Sequence, residues 1–277
     1  MKLINRYRNL PLQIKSVLWF TICNFLLKGL SFITVPLFAA YLSTEEYGAV
    51  SIYNSYQQIL LIFATFELSI GAYARGTLKY KSRKKEFTSA LLILCNIITA
   101  ISFFIVLCFN KFYIRYTGMS LLVLILTYCY FWVQPSYNCW MYDMRFSYAY
   151  RPAVIVTIIQ CLVSTLIPLY FVIYYSRTAE TKIVITLMCL TFLCVPFYFK
   201  CVHFNVIKNF LFVKQIWTFC LTYQLPLVLH SLSYLILGQA DRIMIGEMVG
   251  KSSAGIYSVA YSLASVITIF QSSVEQV

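Results

Sequence analysis

A chain of 277 residues that is 61% hydrophobic and only 11% charged, with a mean hydropathy of +0.77, lies far from water-soluble domains, in which roughly a quarter of residues are charged. Its apolar runs are too long for barrel strands of about 9–11 residues and suit helices of about 20, which excludes a β-barrel. The fold class this implies is an all-α polytopic membrane protein, and the net charge of +13 then has to be explained by where the cations fall. A basic leader over residues 1–15, with Lys2, Arg6, Arg8 and Lys15, precedes the first apolar run. That run is about twice as long as a signal-peptide core and ends in no small-residue cleavage site, so it reads as a retained span.

Apolar runs between charged or turn-rich breaks predict eight helices, over 16–42, 47–74, 87–109, 119–142, 152–175, 183–203, 219–249 and 254 to the end. Pro36 and Pro226 should kink the first and seventh. Loops on the side of the N-terminus hold fifteen Lys and Arg, six of them between 75 and 85, against five on the other side (Lys111, Arg115, Arg177, Lys182, Lys251). This bias places the N-terminus in the cytoplasm, with Trp19, Trp140 and Trp217 near that interface. It also makes anionic membrane lipids, rather than nucleic acid, the natural partner of the 75–85 cluster. The ten cysteines are scattered through apolar runs with no CxxC and no Cys/His cluster of metal spacing, so they read as small hydrophobes.

The chain also restarts. At an offset of 207, YGAVSIYNS (47–55) superposes on AGIYSVAYS (254–262), setting Gly48 on Gly255, Ser51 on Ser258 and Ser55 on Ser262. Six spans intervene between the copies, an even number, so both have the same orientation. They are related by an axis along the membrane normal, a parallel repeat. The expected organisation is a six-helix lobe over 16–203, a cytoplasmic linker over 204–218 and the first two helices of a second lobe over 219–277. On that reading the second lobe is cut short after about eight spans.

Ionisable residues within spans are the candidate functional groups, because a charge at bilayer depth costs roughly 2.5–3.5 kcal/mol on insertion scales and is kept facing a bundle interior or a wet cavity. Lys28 sits at the middle of the first span. Asp241 and Arg242 sit in the seventh, at the positions of Thr34 and Val35 in the first copy, and point about 100° apart, so each needs its own partner. His230 precedes Asp241 by eleven residues and shares its face to within about 20°. His230, Asp241 and Glu67 are candidates for ion coupling, and Arg75 for a phosphate at the inner mouth. Glu45 and Glu46 read as solvated. Only His203 and His230 are histidines, and no HxxxxD, HExxH, GxSxG or P-loop pattern occurs. No catalytic residue, metal site or cofactor is expected, and the chain is not read as an enzyme.

The segments ADRIMIGEMVGKSSAGIYSVAYSLA, SVLWFTICNFLLKGLSFITVPLFAAYLSTEEYGAVSIYNSY and LTYQLPLVLHSLSYLILGQADR resemble the Wzx-type polysaccharide repeat-unit flippases, within the superfamily of multidrug, oligosaccharidyl-lipid and polysaccharide exporters. The resemblance implies a multi-pass protein of the bacterial plasma (inner) membrane. It would move undecaprenyl-diphosphate-linked oligosaccharide from the inner to the outer leaflet for capsule or O-antigen synthesis. The implied mechanism is alternating access, coupled to H+ or Na+, and the substrate-binding residues carried over are Lys28, Asp241 and Arg242. Two other readings fit the residues: a cation-coupled multidrug exporter of the same superfamily, and a non-transporting, truncated remnant.

Overall fold

The computed structural model describes residues 11–203 and 210–264, the side chains of 24–28, 30–33, 210 and 263 excepted. Every regular element among them is helical: α1 (Leu12–Tyr41), α2 (Thr44–Thr65), α3 (Gly71–Lys79), a 3-10 turn (Lys81–Arg83), α4 (Lys84–Cys108), α5 (Asn110–Thr117), α6 (Leu121–Phe146), α7 (Tyr150–Tyr174), α8 (Ala179–Cys201), α9 (Phe210–Met248) and α10 (Lys251–Ala264). The protein is thus an all-α membrane protein. Among the described residues four helices are long and apolar enough to cross a bilayer, Lys81–Cys108, Tyr150–Tyr174, Ala179–Cys201 and Leu211–Met248. The pair α5 and α6, bent by 99°, makes a fifth if counted as one span. Helix α2 falls short because Ser51, Asn54, Ser55, Gln57 and Gln58 lower its hydropathy. Such a helix is tolerated where neighbouring helices answer its polar groups.

The chain departs from the expected spans in four places. The second span is not one helix. Helix α2 stops at Phe66 and α3 begins at Gly71, with Phe66 and Glu67 both at positive φ (48° and 50°). Hydropathy sees only apolar content here and cannot see a break whose freed backbone groups find partners inside the protein. Thr65 Oγ1 accepts from the Glu67 amide at 3.2 Å, Thr99 Oγ1 donates to the Ala64 carbonyl at 2.9 Å, and Gln224 Oε1 of α9 accepts from the Ala72 amide at 2.9 Å. Leu68 and Ser69 are buried, so the irregular backbone is shielded from lipid. The expected loop at 110–118 folds as α5, which buries Tyr113 and Thr117 and exposes Lys111 and Arg115, the pattern of an amphipathic helix lying at the interface. Helix α9 begins at Phe210 rather than 219, because Val213 and Ile216 bury an apolar face against the bundle. Trp140 is buried against Phe197 (ring centroids 4.6 Å apart) instead of presenting its ring to head groups.

Six of the rods close a ring in the order α1, α7, α8, α6, α4, α2, and α9 and α10 pack on its α2, α3 and α4 side. Two apolar cores stabilise this arrangement. One gathers Phe38, Tyr47, Tyr53, Tyr128, Phe131 and Leu187; the other gathers Leu68, Tyr73, Phe87, Leu91, Ile216 and the buried thiols Cys95, Cys139 and Cys220. All ten cysteines are free. The ring is tied at its end. Ser43 caps α2 by accepting from the Glu46 amide, and the Glu46 carboxylate accepts from the Ala179 amide at the start of α8. Glu45 is exposed, but Glu46 is not merely solvated: the first amides of a helix lack internal partners and attract an anion.

The repeat is visible in the helix ends. Helix α1 stops at Tyr41 and α9 at Met248; α2 starts at Thr44 and α10 at Lys251. Both pairs are separated by the same 207 residues as the hydrogen-bonded Ser51 and Ser258, whose Oγ atoms lie 2.5 Å apart. Helices α2 and α10 run parallel, and equivalent residues touch each other. A Cβ on Gly48 would sit 1.8 Å from the Lys251 carbonyl oxygen, and one on Gly255 would sit 2.2 Å from that of Thr44, its counterpart in the other copy. This reciprocity is the signature of a two-fold contact, in which i meets j′ and j meets i′. Small residues permit the close approach.

Because the obstruction at Gly48 is backbone, Gly48→Ala or Gly255→Ala should destabilise the protein by about 1–3 kcal/mol. Gly29→Ala, where an added Cβ meets nothing within 4 Å, should leave it unchanged. Thermal unfolding of purified protein in detergent checks both; equal midpoints for Gly48→Ala and Gly29→Ala would contradict the reciprocal packing.

Candidate functional site

The two copies meet in a polar cluster that begins where their small residues run out. Ser55 is fully buried and donates to the Ser51 carbonyl at 3.1 Å or to Gln239 Oε1 of α9 at 3.0 Å. Gln239 Nε2 in turn donates to Gln58 Oε1 at 3.2 Å, and Arg242 Nη1 donates to both Gln239 Oε1 and the Gly238 carbonyl (2.9 Å). The Arg242 guanidinium also lies over the Tyr261 ring of α10, 4.4 Å from its centroid. One glutamine therefore carries hydrogen bonds from α2 to an arginine of α9.

The Asp241 and Arg242 side chains diverge as their helical spacing requires, and each finds a different partner. Asp241 Oδ2 accepts from the Tyr257 hydroxyl at 2.8 Å, while Arg242 stacks on Tyr261 one turn further along α10. Neither is neutralised by an ion pair among the described residues. Asp241 is exposed and Arg242 partly so, which leaves the guanidinium with donors to offer a ligand. In the first copy Thr34, Val35, Val50 and Asn54 hold the positions of Asp241, Arg242, Tyr257 and Tyr261, and all four line a cavity inside the six-helix ring.

The remaining predicted residues lie elsewhere. Lys28 falls near the middle of α1, with its side chain outside the described residues. His230 is exposed on α9, as Asp241 is. Glu67 sits, partly buried, in the break between α2 and α3, and Arg75 is exposed one turn into α3. No ion pair joins Glu67 to Arg75 among the described residues. Close by, Asp143 of α6 accepts from the Tyr73 hydroxyl at 2.8 Å and pairs with Lys84 at 2.7 Å, anchoring the basic 75–85 segment to the ring. Sequence reasoning missed Gln239, Gln58, Tyr257 and Tyr261. The repeat offset was the signal for the two tyrosines, since each replaces a smaller residue beside the Asp241–Arg242 pair that stands where the first copy has Thr34 and Val35. No group of three His, Cys, Asp or Glu side chains converges on a metal-sized site among the described residues. The cluster can hold an anion or sugar hydroxyls by hydrogen bonding.

Gln239→Leu removes an acceptor for Ser55 and Arg242 and a donor to Gln58. A double-mutant cycle of Gln239→Leu with Ser55→Ala should return a coupling of roughly 0.6 kcal/mol in thermal or denaturant unfolding, the size usual for hydrogen bonds between membrane helices. Strict additivity would show that the link to Ser55 is not formed.

Comparison with known proteins agrees with this architecture over nearly the whole chain: the family model described as polysaccharide biosynthesis protein matches residues 14–277. No curated protein and no solved structure matches the chain. Members of that family act as transporters in polysaccharide synthesis rather than as enzymes, in keeping with a multi-pass helical chain. The chain belongs to the polysaccharide biosynthesis protein family.

Proposed function

We propose that this protein is a flippase that carries undecaprenyl-diphosphate-linked oligosaccharide from the inner to the outer leaflet of a bacterial plasma membrane, for capsule or O-antigen assembly. The observation that carries the reading is the contact of equivalent helices at Gly48–Gly255 and Ser51–Ser258, with Arg242 directly behind it. The seam between α2 and α10 is made of small residues and neutral hydrogen bonds, while the N-terminal part of α9 stays anchored in the second apolar core through Val213, Ile216 and Cys220. The seam can part and re-form at modest cost, as alternating access between two lobes requires.

A lipid diphosphate faces a barrier of tens of kcal/mol if its charges enter a low-dielectric interior bare. Cations beside a hydrated path lower that barrier, and the prenyl tail remains in lipid. In this reading Arg242 and Lys28 contact the diphosphate and Asp241 orients sugar hydroxyls, while Arg75 receives the phosphate at the cytoplasmic mouth. Asp241, His230 and Glu67 are the candidate carriers of H+ or Na+ coupling. The N-terminus is cytoplasmic, and the basic segment around Arg75, Lys79 and Lys81 meets anionic lipids.

Two measurements test the proposal. In a strain lacking its own flippase and supplied with this protein, Lys28→Gln with Arg242→Gln should abolish surface polysaccharide while the protein still reaches the membrane; unchanged polysaccharide would sink the assignment of these cations. In a cysteine-free background, Ser51→Cys with Ser258→Cys should cross-link under mild oxidation, since the native oxygens are 2.5 Å apart. The cross-link should arrest transport until a reductant is added. Transport that proceeds with the cross-link intact would mean that the seam does not open.

A further inference from the structure

The cavity inside the six-helix ring takes no part in the path described above. It has a volume of about 230 Å³, is open on one side, and is lined from four helices, among them Phe38 of α1, Tyr47, Asn54 and Gln57 of α2, Ser164 of α7 and Thr186 of α8. Among the described residues one charged side chain enters it, Lys182, from the first turn of α8. Its ammonium lies 4.1 Å from the centroid of the Phe38 ring and 5.4 Å from that of Tyr47. Aromatic faces attract a cation but bring no counter-charge.

Among the described residues no carboxylate lies within ion-pair distance of Lys182. The two acids at this end of the ring are engaged elsewhere: Glu46 accepts from the Ala179 amide, and Glu180, in the first turn of α8, accepts from the Ser120 hydroxyl. In the second copy the position corresponding to cavity-lining Thr34 is a carboxylate, Asp241; the first copy has a hydroxyl there. The first amide of α8 is already answered by Glu46, so the charge offered to the cavity is that of Lys182 alone. Among the described residues the lining holds one cation, amide and hydroxyl groups and no acid, and burying an ammonium without a counter-ion is costly.

We propose that this cavity is a binding site for a small inorganic anion, of halide to phosphate size, held by the Lys182 ammonium with the amide groups of Asn54 and Gln57 as hydrogen-bond donors. The cavity is too small for a lipid-linked oligosaccharide, so its occupant is distinct from the cargo. The inference rests on the geometry of the ring alone; its failure would leave the flippase reading intact.

The test is binding of radiolabelled chloride to the whole purified protein in detergent, with bromide, nitrate, phosphate and gluconate as competitors at constant ionic strength, alongside thermal unfolding in the same salts. Wild type should bind chloride saturably, with competition by bromide and nitrate and none by gluconate, and its unfolding midpoint should rise with occupancy. Lys182→Gln should weaken binding by more than about tenfold, Lys182→Arg should retain it, and Lys111→Gln, which alters an exposed lysine of α5, should bind as wild type does. Absence of saturable binding by the wild type, or equal binding by a folded Lys182→Gln protein, would overturn the proposal. If Lys182→Gln does not fold, the wild-type measurement and Lys182→Arg decide the matter.

Discussion

Two helices of the same sequence origin meet face to face, and the rest of the molecule is arranged around that meeting. In the parallel crossing of α2 and α10 the closest approach is made by Gly48 and Gly255, and the next contact is Ser51 against Ser258. Lipid offers no hydrophobic driving force between such helices, so association rests on packing and interhelical hydrogen bonds. Both are available only if nothing larger than a hydroxyl stands between the backbones. The crossing sets where α9 must run, because only two residues separate Met248 from Lys251. Gln239 and Arg242 are thereby carried to α2, and the inner part of α9 reaches Ala72 through Gln224 and the Ala90 carbonyl through Trp217.

A two-fold axis imposes different demands on residues near it and away from it. A position near the axis faces its counterpart at the closest backbone approach, so neither copy can enlarge there without striking the other. Glycine opposite glycine and serine opposite serine satisfy the geometry with minimal volume. Off the axis the two copies look into different surroundings and are free to differ. Thr34 and Val35 became cavity lining in a closed ring, and Asp241 and Arg242 became charged groups held by Tyr257, Tyr261 and Gln239. The charge asymmetry between the copies thus follows from position.

Much of this was legible in the residues, and the limits are physical. The helical membrane class follows from composition, and the repeat follows from an offset that the structure reproduces at helix ends and in a hydrogen bond. The separate partners of Asp241 and Arg242 follow from helical spacing. Invisible to hydropathy were the break between α2 and α3, because its cost is removed by Thr65, Thr99 and Gln224 from three different helices, and α5, because an eight-residue interfacial helix looks like a charged loop. Gln239 was missed because an uncharged amide gives no signal in an apolar run until its partners are known. Glu46 was read as solvated because its partner, the Ala179 amide, is 133 residues away in sequence.

The break between α2 and α3 and the crossing of α2 with α10 divide one span into parts with different duties. The half from Thr44 to Ser55 is committed to the other copy. The part from Gly71 onward is committed to the ring and to α9, since Tyr73 is fully buried between Phe87 and Tyr142 and bonded to Asp143. A continuous helix would transmit any tilt of its N-terminal half directly to the C-terminal one. Two residues at positive φ, Phe66 and Glu67, form a joint between the parts, with the Glu67 amide bound to Thr65 of α2 and the adjoining Ala64 carbonyl bound by Thr99 of α4. Glu67 lies in that joint, partly buried, with its own amide bound to Thr65 Oγ1, so the break places an acid between the two packed parts of the span.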